Sequence, residues 1–406
     1  MTPIVRSILR RRLVVAAGAV VLLCADTATT AAAATAVVRP AAPSVAEQLR
    51  RDTRAIHALG VAGVQARVIG PDGRQTVATS GAADVATGRP VPPDGYFRMA
   101  STAKTMVATV VLQLEAEGRL SLDDTLDRRL PEVVRARGGA GRGITVRQLL
   151  QHTSGIVDDL PGYDTKDGYE RERYRVHRRE DLVAGAAFPS EADRPDPGGA
   201  GWRYSNTGYL LLDMIIERAT GHPAEREVED RVLRPLGLDR TRPTGTSPAL
   251  PAPHARAYQL FPAPDGRVDV TEQVPMDPGF SWVTTTREEN LLLRALLAGR
   301  LLPERQLAEM RRTVAVDERT AELWHGGAYG LGLVSRGLSC GGVYWGHEGG
   351  DGGFVTLNGV TGDGRRSAVV SMSEARGDTW DHIRAQEDAA SALIDHALCA
   401  GSRGAS

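Results

Sequence analysis

Phe97-Arg98-Met99-Ala100-Ser101-Thr102-Ala103-Lys104 opens a run that continues through Met106, Val107, Val110, Val111, Leu112 and Leu114 to Gly118. Apolar residues on nearly every face predict a helix buried all round rather than one lying on the surface. Gly118 suits its end, because glycine takes the left-handed conformation that follows a helix. Ser101 and Lys104 stand three residues apart at the N-terminal end, so they share one face of the first turn. That spacing carries chemistry. An amine beside a hydroxyl can take its proton, and a helix N-terminus offers unpaired N–H groups to the oxyanion that follows. A serine opening a helix is also an ordinary N-cap, so composition decides between the readings. Lysine occurs only at 104 and 166, and arginine supplies the other 47 of the 49 basic residues. Arginine cannot be deprotonated at working pH, whereas a buried lysine can act as a base. The pair therefore reads as nucleophile and base.

Length and charge bound the remainder. With 406 residues, the chain can hold two domains or one large domain with an insertion. A net charge of −1 leaves no electrostatic footprint for nucleic acid or an acidic membrane surface. Residues 1–36 read as a signal peptide: Arg6, Arg10, Arg11 and Arg12 form a basic start, 13–23 an apolar stretch, and Ala34-Thr35-Ala36 a small-residue cleavage site. The apolar stretch is short for a membrane span, and Leu23 before Cys24 is too large for the usual lipidation signal. The mature chain is thus expected to be secreted, monomeric and without a stable membrane anchor. Residues 37–44 are a Pro/Ala linker and 401–406 a tail. Cys340 and Cys399 remain after the leader, an even pair that reads as a disulfide in an exported chain. No Cys/His cluster has metal-ligand spacing, so neither a metal nor another cofactor is expected.

Outward from the central helix, residues 45–59 carry Val45, Leu49, Ile56 and Leu59 on one side and predict a first helix. Residues 61–69 and 75–80 predict two strands around Pro71-Asp72-Gly73. Residues 120–134 are short and charged, and 144–155 predict a short helix ended by glycine. The charged run 158–181 reads as a solvated face or loop. Residues 195–201 are a breaker cluster, 209–219 a helix stopped by Gly221, and 243–264 Pro-rich loops. Thr286 with Glu289 predicts a capping box for a helix through Leu297. Residues 329–334, 342–346, 353–360 and 367–372 predict antiparallel strands, and 386–398 a closing helix. The expected fold is α+β. A domain over 45–400 holds one antiparallel sheet flanked by terminal helices and split by a mainly helical insertion, about 98–270, that carries part of the active site.

Two further pieces converge on Ser101 and Lys104. Tyr204-Ser205-Asn206 supplies a phenol and an amide two residues apart, which face one side of an extended segment. His347-Glu348-Gly349-Gly350 lies on a glycine-rich strand where backbone can approach a ligand closely. In this order and with these flanks the chain resembles the serine β-lactamase and penicillin-binding family, above all its secreted D-alanyl-D-alanine carboxypeptidases and class C β-lactamases. The resemblance covers about 45–400. It rests on Phe-Arg-Met-Ala-Ser-Thr-Ala-Lys, Ile-Thr-Val-Arg-Gln-Leu-Leu-Gln-His-Thr-Ser-Gly, Tyr-Ser-Asn-Thr-Gly-Tyr, Tyr-Gly-Leu-Gly and Gly-His-Glu-Gly.

The resemblance implies a β-lactamase/transpeptidase-like fold and an acyl-enzyme mechanism. Ser101 would attack a carbonyl after losing its proton to Lys104, with Tyr204 relaying protons. Asn206 would orient the substrate amide, and the N–H groups of Ser101 and Gly350 would form the oxyanion hole. His347 would begin the edge strand on which an extended substrate docks. The implied substrate is a small molecule or peptide: a D-alanyl-D-alanine peptidoglycan peptide first, with β-lactam binding or hydrolysis in view. An esterase or a D-amino-acid peptidase or amidase is the alternative, and a silent binding protein a third reading. The family often carries Thr or Ser where this chain has Glu348 and Gly350. Neither offers a hydroxyl to a substrate carboxylate, and Glu348 would repel it as a like charge, so anionic substrates are expected to bind worse than neutral ones.

Overall fold

Two strands buried along their whole length form the centre of the sheet. Gly63–Ile69 and Ser367–Met372 pair antiparallel from Val64 opposite Met372 to Ile69 opposite Ser367. Burial on both faces is why their apolar residues run on without alternation. Val64, Ala66, Val68, Val370 and Met372 pack against Leu49, Ile56, Leu393 and Ile394 of the terminal helices Val45–Ala58 and Trp380–Leu398. Gln65 and Arg67 alternate with them and turn to the other face, where the Arg67 Nε–H donates to Thr286 Oγ1 of the helix Thr286–Leu297. The computed structural model describes residues 43–161, 165–190, 192–193, 201–275 and 281–401. The signal peptide, nearly all of the linker, the breaker cluster up to residue 200 and the tail after 401 lie outside them.

Among the described residues the main sheet has ten strands. Nine follow the order 89–90, 75–84, 63–69, 367–372, 354–361, 343–346, 334–337, 328–329 and 314–315, and the tenth, Gly349–Asp351, pairs with Phe354–Thr361. The helical insertion is built on Lys104–Ala116, in which every residue from Lys104 to Leu112, and Leu114, is buried. It shares a core with Leu210, Leu211, Ile215 and Ile216 of the helix Asn206–Thr220. Each such side chain contributes about 1.5–3 kcal/mol of burial free energy. Gly332, at φ +77°, marks where sheet meets helix: a Cβ there would lie 2.5 Å from Ala108 Cβ. Its carbonyl accepts from Thr105 Oγ1 at 2.8 Å, so the close approach also pins the nucleophile helix.

Several local expectations change. The helix expected over 144–155 spans only Val146–Leu150, because His152 takes φ +59° and turns the chain. The charged run 158–181 contains two helices, Lys166–Glu172 and Arg179–Gly185, rather than a loop. Its charges are partly internal: Arg179 donates to Glu225 at 3.0 Å and lies 3.6 Å from Asp213, while Tyr169 is buried. The strand expected over 329–334 breaks into Ala328–Tyr329 and Val334–Gly337 at the Gly332 contact. Within 243–264, Tyr258–Phe261 is a strand. The helix starting at Thr286 is capped by Thr285, which accepts from Glu288 N–H, so Glu289 points into the interior instead of closing a box.

Cys340 and Cys399 are joined, 59 residues apart in sequence, tying the hairpin of Val334–Gly337 and Val343–Gly346 to the last helix. Closing such a loop is worth about 4 kcal/mol in the chain-entropy model. Among the described residues no helix is long and apolar enough to cross a membrane. None of their His, Cys, Asp and Glu side chains form a group able to hold a metal ion.

Candidate active site

Ala100, at φ +50°, is bent into the left-handed region just before Ser101. That conformation costs on the order of 1–2 kcal/mol for a residue with a Cβ. The bend starts a single 3₁₀ turn, Ala100–Ala103, that runs straight into Lys104–Ala116. Ser101 is left half-buried on the rim, and Lys104 is completely buried beneath it. Lys104 Nζ lies 2.9 Å from Ser101 Oγ and 2.8 Å from Asn206 Oδ1. The Tyr204 and Tyr209 ring centres are 4.9 and 5.5 Å from the same nitrogen. As an ammonium, Lys104 donates to both oxygens; as an amine, it can accept the Ser101 hydroxyl proton across the same contact.

Asn206 is placed by Asp158, a residue the motifs passed over. The Asp158 carboxylate accepts from Ser205 Oγ at 2.8 Å, Asn206 N–H at 2.7 Å and Thr207 N–H at 2.9 Å. An anion on the open N–H groups of a helix start is favoured by both hydrogen bonding and the dipole. Ser205 completes the cap by accepting from Gly208 N–H at 3.3 Å.

Behind Tyr204 lies a buried aromatic block centred on His152, whose ring is 4.3 Å from Tyr204, 4.6 Å from Tyr329 and 5.2 Å from Tyr209. The hydrogen bonds assign the tautomers. His152 Nδ1 accepts from Ser205 N–H at 3.2 Å, so its Nε2–H donates to Tyr329 Oη at 3.0 Å. Tyr329 Oη–H then donates to His347 Nε2 at 2.8 Å, and His347 Nδ1–H to the Glu348 carbonyl at 2.7 Å. Burial and then the Lys104 charge hold both imidazoles well below their usual range. Burial lifts the Tyr329 phenol well above its own. The relay is therefore neutral, and both His347 nitrogens are used inside the protein. Neither His152 nor Tyr329 had been given a role, although both lie in the quoted motifs.

The strand Gly349–Asp351 passes directly beside the nucleophile turn. A Cβ on Gly349 would lie 2.2 Å from the Met99 carbonyl, so only glycine fits. At Gly350 that direction is open. The strand pairs with Phe354–Thr361, and Ser101, Tyr204 and Gly350 open on a cavity of about 390 Å³ walled by Trp202, Trp324 and Glu348. A larger cavity of about 610 Å³, lined by Asp84, Arg89, Arg173 and Arg256, contains none of these groups.

Glu348 does not stand as a bare charge. It forms an ion pair with Arg336, whose Nη1 also donates to Glu387 Oε1 at 2.8 Å and Ser391 Oγ at 2.9 Å. The like-charge argument against anionic substrates therefore loses its source, since Arg336 neutralises Glu348. Among the described residues Arg336 does not line the cavity at Ser101, whereas Arg376 does. Burial, opposed by Arg336, raises the Glu387 carboxyl above its ordinary range.

A beta-lactamase family model matches residues 47–393. Penicillin-binding protein 4* of Bacillus subtilis is 32% identical over 162 residues, 40% of this chain and 34% of that protein. Esterase EstB of Burkholderia gladioli is 37% identical over 166 residues, 39% of this chain and 41% of that protein. The chain thus matches roughly a third to two-fifths of the length of these two relatives. Among solved structures, a D-stereospecific amidohydrolase from Streptomyces sp. superposes with a TM-score of 0.72 at 37% identity, covering 85% of this chain and 98% of that one. The D-amino acid amidase from Ochrobactrum anthropi SV3, complexed with L-phenylalanine amide, superposes at 0.71 with 25% identity, over 86% and 97% of the two chains.

Proposed function

The chain belongs to the beta-lactamase family, and we propose that it hydrolyses amides and short peptides of D-amino acids through an acyl-enzyme on Ser101. The observation that carries the chemistry is the Ser101–Lys104–Asn206 cluster, with every contact under 3 Å and the base buried. Lys104, as an amine, takes the Ser101 proton while Oγ bonds to the substrate carbonyl carbon. The N–H groups of Ser101 and Gly350 receive the oxyanion. The C–N bond then breaks, and the leaving nitrogen gains its proton through Tyr204. Water, giving a proton back along the same route, splits the acyl ester and Oγ recovers its hydrogen. Asn206 orients Lys104 and the substrate amide. The exported location read from residues 1–36 is part of the same proposal.

The choice of amide over a free-carboxylate peptide rests on Glu348 and Gly350, which offer a substrate carboxylate no hydroxyl. The 37% identity to a D-stereospecific amidohydrolase along almost its whole length supports the same class. Esters are accepted by the same geometry, since they leave more easily. The test compares kcat/KM for D-phenylalanine amide with that for a D-peptide ending in a free carboxylate. The amide should win by about tenfold or more, equivalent to ~1.4 kcal/mol. Glu348→Thr supplies a hydroxyl on the cavity wall and should narrow that ratio. A native enzyme that prefers the free carboxylate would overturn the substrate class.

A further inference from the structure

Glu289 lies behind the nucleophile turn, on the first turn of Thr286–Leu297, and is buried. Its Oε1 accepts from Asn358 Nδ2, and Asn358 Oδ1 accepts from His347 N–H at 2.8 Å. The other side chain acting on the carboxyl is Thr102, next to Ser101. Thr102 Oγ1 donates to the Met99 carbonyl at 3.0 Å. Glu289 Oε2 is buried and receives no donor. A buried carboxyl oxygen without a donor fits a carboxyl that carries its proton there. Uncharged Glu289 then ends a chain of hydrogen bonds that runs from His347 N–H through Asn358, while Thr102 separately holds the Met99 carbonyl. That carbonyl is also the atom against which Gly349 packs.

We propose that uncharged Glu289 is a positioning residue that holds the Ser101 turn and the His347–Gly350 segment in register, and that its ionisation releases them. The proposal rests on Ser101 as nucleophile and on no particular substrate. Burial pushes the carboxyl up to about 8, against the hydrogen bonds of Asn358 and Thr102. Neighbouring charges are committed elsewhere. Arg67 binds Asp94, Arg98 binds three backbone carbonyls, and Glu288 binds Thr241. Lys104 binds Ser101 and Asn206, while His347 is neutral. An unfolded carboxyl titrates near ~4.3, so the support given by the neutral form is complete below that pH and is lost as pH rises through about 8.

The test follows the rate of Ser101 phosphonylation by a fluorophosphonate against pH in the native enzyme, Glu289→Gln and Glu289→Leu. Glutamine keeps an acceptor for Asn358 without titrating. At pH 7 its rate should stay within about threefold of native, and the alkaline fall, centred near pH 8 in the native enzyme, should move up by about one unit or more. Glu289→Leu, checked for folding by circular dichroism, should lose about tenfold or more at every pH. An alkaline fall that stays in place in Glu289→Gln overturns the proposal, as does a folded Glu289→Leu that labels at the native rate. A native enzyme that never labels at Ser101 overturns the nucleophile itself, and the proposal with it.

Discussion

Lys104→Arg is expected to slow acylation of Ser101 by about two to four orders of magnitude, the usual worth of a positioned general base. Arginine keeps the positive charge near Ser101 and Tyr204, so an electrostatic role alone would survive the exchange. What it loses is the neutral form that can accept the Ser101 proton across 2.9 Å. The wider, planar guanidinium must also find room in a site that is completely buried and shared with the Asn206 amide at 2.8 Å. A thermal melt therefore accompanies the rate measurement, and Ser101→Ala sets the floor for lost nucleophile. Near-native acylation by a folded Lys104→Arg would reduce the lysine to a charge and leave the base to be found elsewhere.

Asp158→Ala carries the second large effect, and on stability as much as on rate. The carboxylate takes three donors from Ser205, Asn206 and Thr207, two of which are buried residues. Hydrogen bonds to a charged acceptor are worth ~1.5–3 kcal/mol each and are not additive within one cluster, so the loss should be on the order of 4 kcal/mol. The melting temperature should fall by roughly 5 °C for a domain of this size. Asn206 moves with the frayed helix start, and a small displacement of a group bonded to the base can cost about a hundredfold in kcat. Asp158→Asn retains one acceptor oxygen and should recover part of both losses. An alanine variant with unchanged melting temperature and kcat would show that the helix caps itself.

The parts of this fold that could be read from the sequence are those determined within a few residues. Strand 367–372 is buried on both faces, and the apolar run that results gives its limits directly. The nucleophile helix announces itself by apolar residues all round and a glycine stop, and Ser101 and Lys104 meet across one turn. What was not legible depends on partners far apart in the chain. Asp158 reaches residues 47 to 49 positions away, and Tyr329 bridges His152 and His347. Glu348 could be placed near the site, but its charge is set by Arg336 on a neighbouring strand. Thr284-Thr285-Thr286 offers three adjacent caps. The backbone chooses Thr285, at φ −125°, and that one-residue difference turns Glu289 from a surface cap into a core carboxyl.

The central claim is a covalent acyl-enzyme on Ser101. Rapid acid quench during turnover of a D-phenylalanine ester, followed by peptide mapping by mass spectrometry, tests it directly. The account predicts a D-phenylalanyl mass increment on the peptide containing Ser101, absent from Ser101→Ala, which should also lose turnover. Steady hydrolysis with no adduct on that peptide, or native turnover by Ser101→Ala, would contradict it.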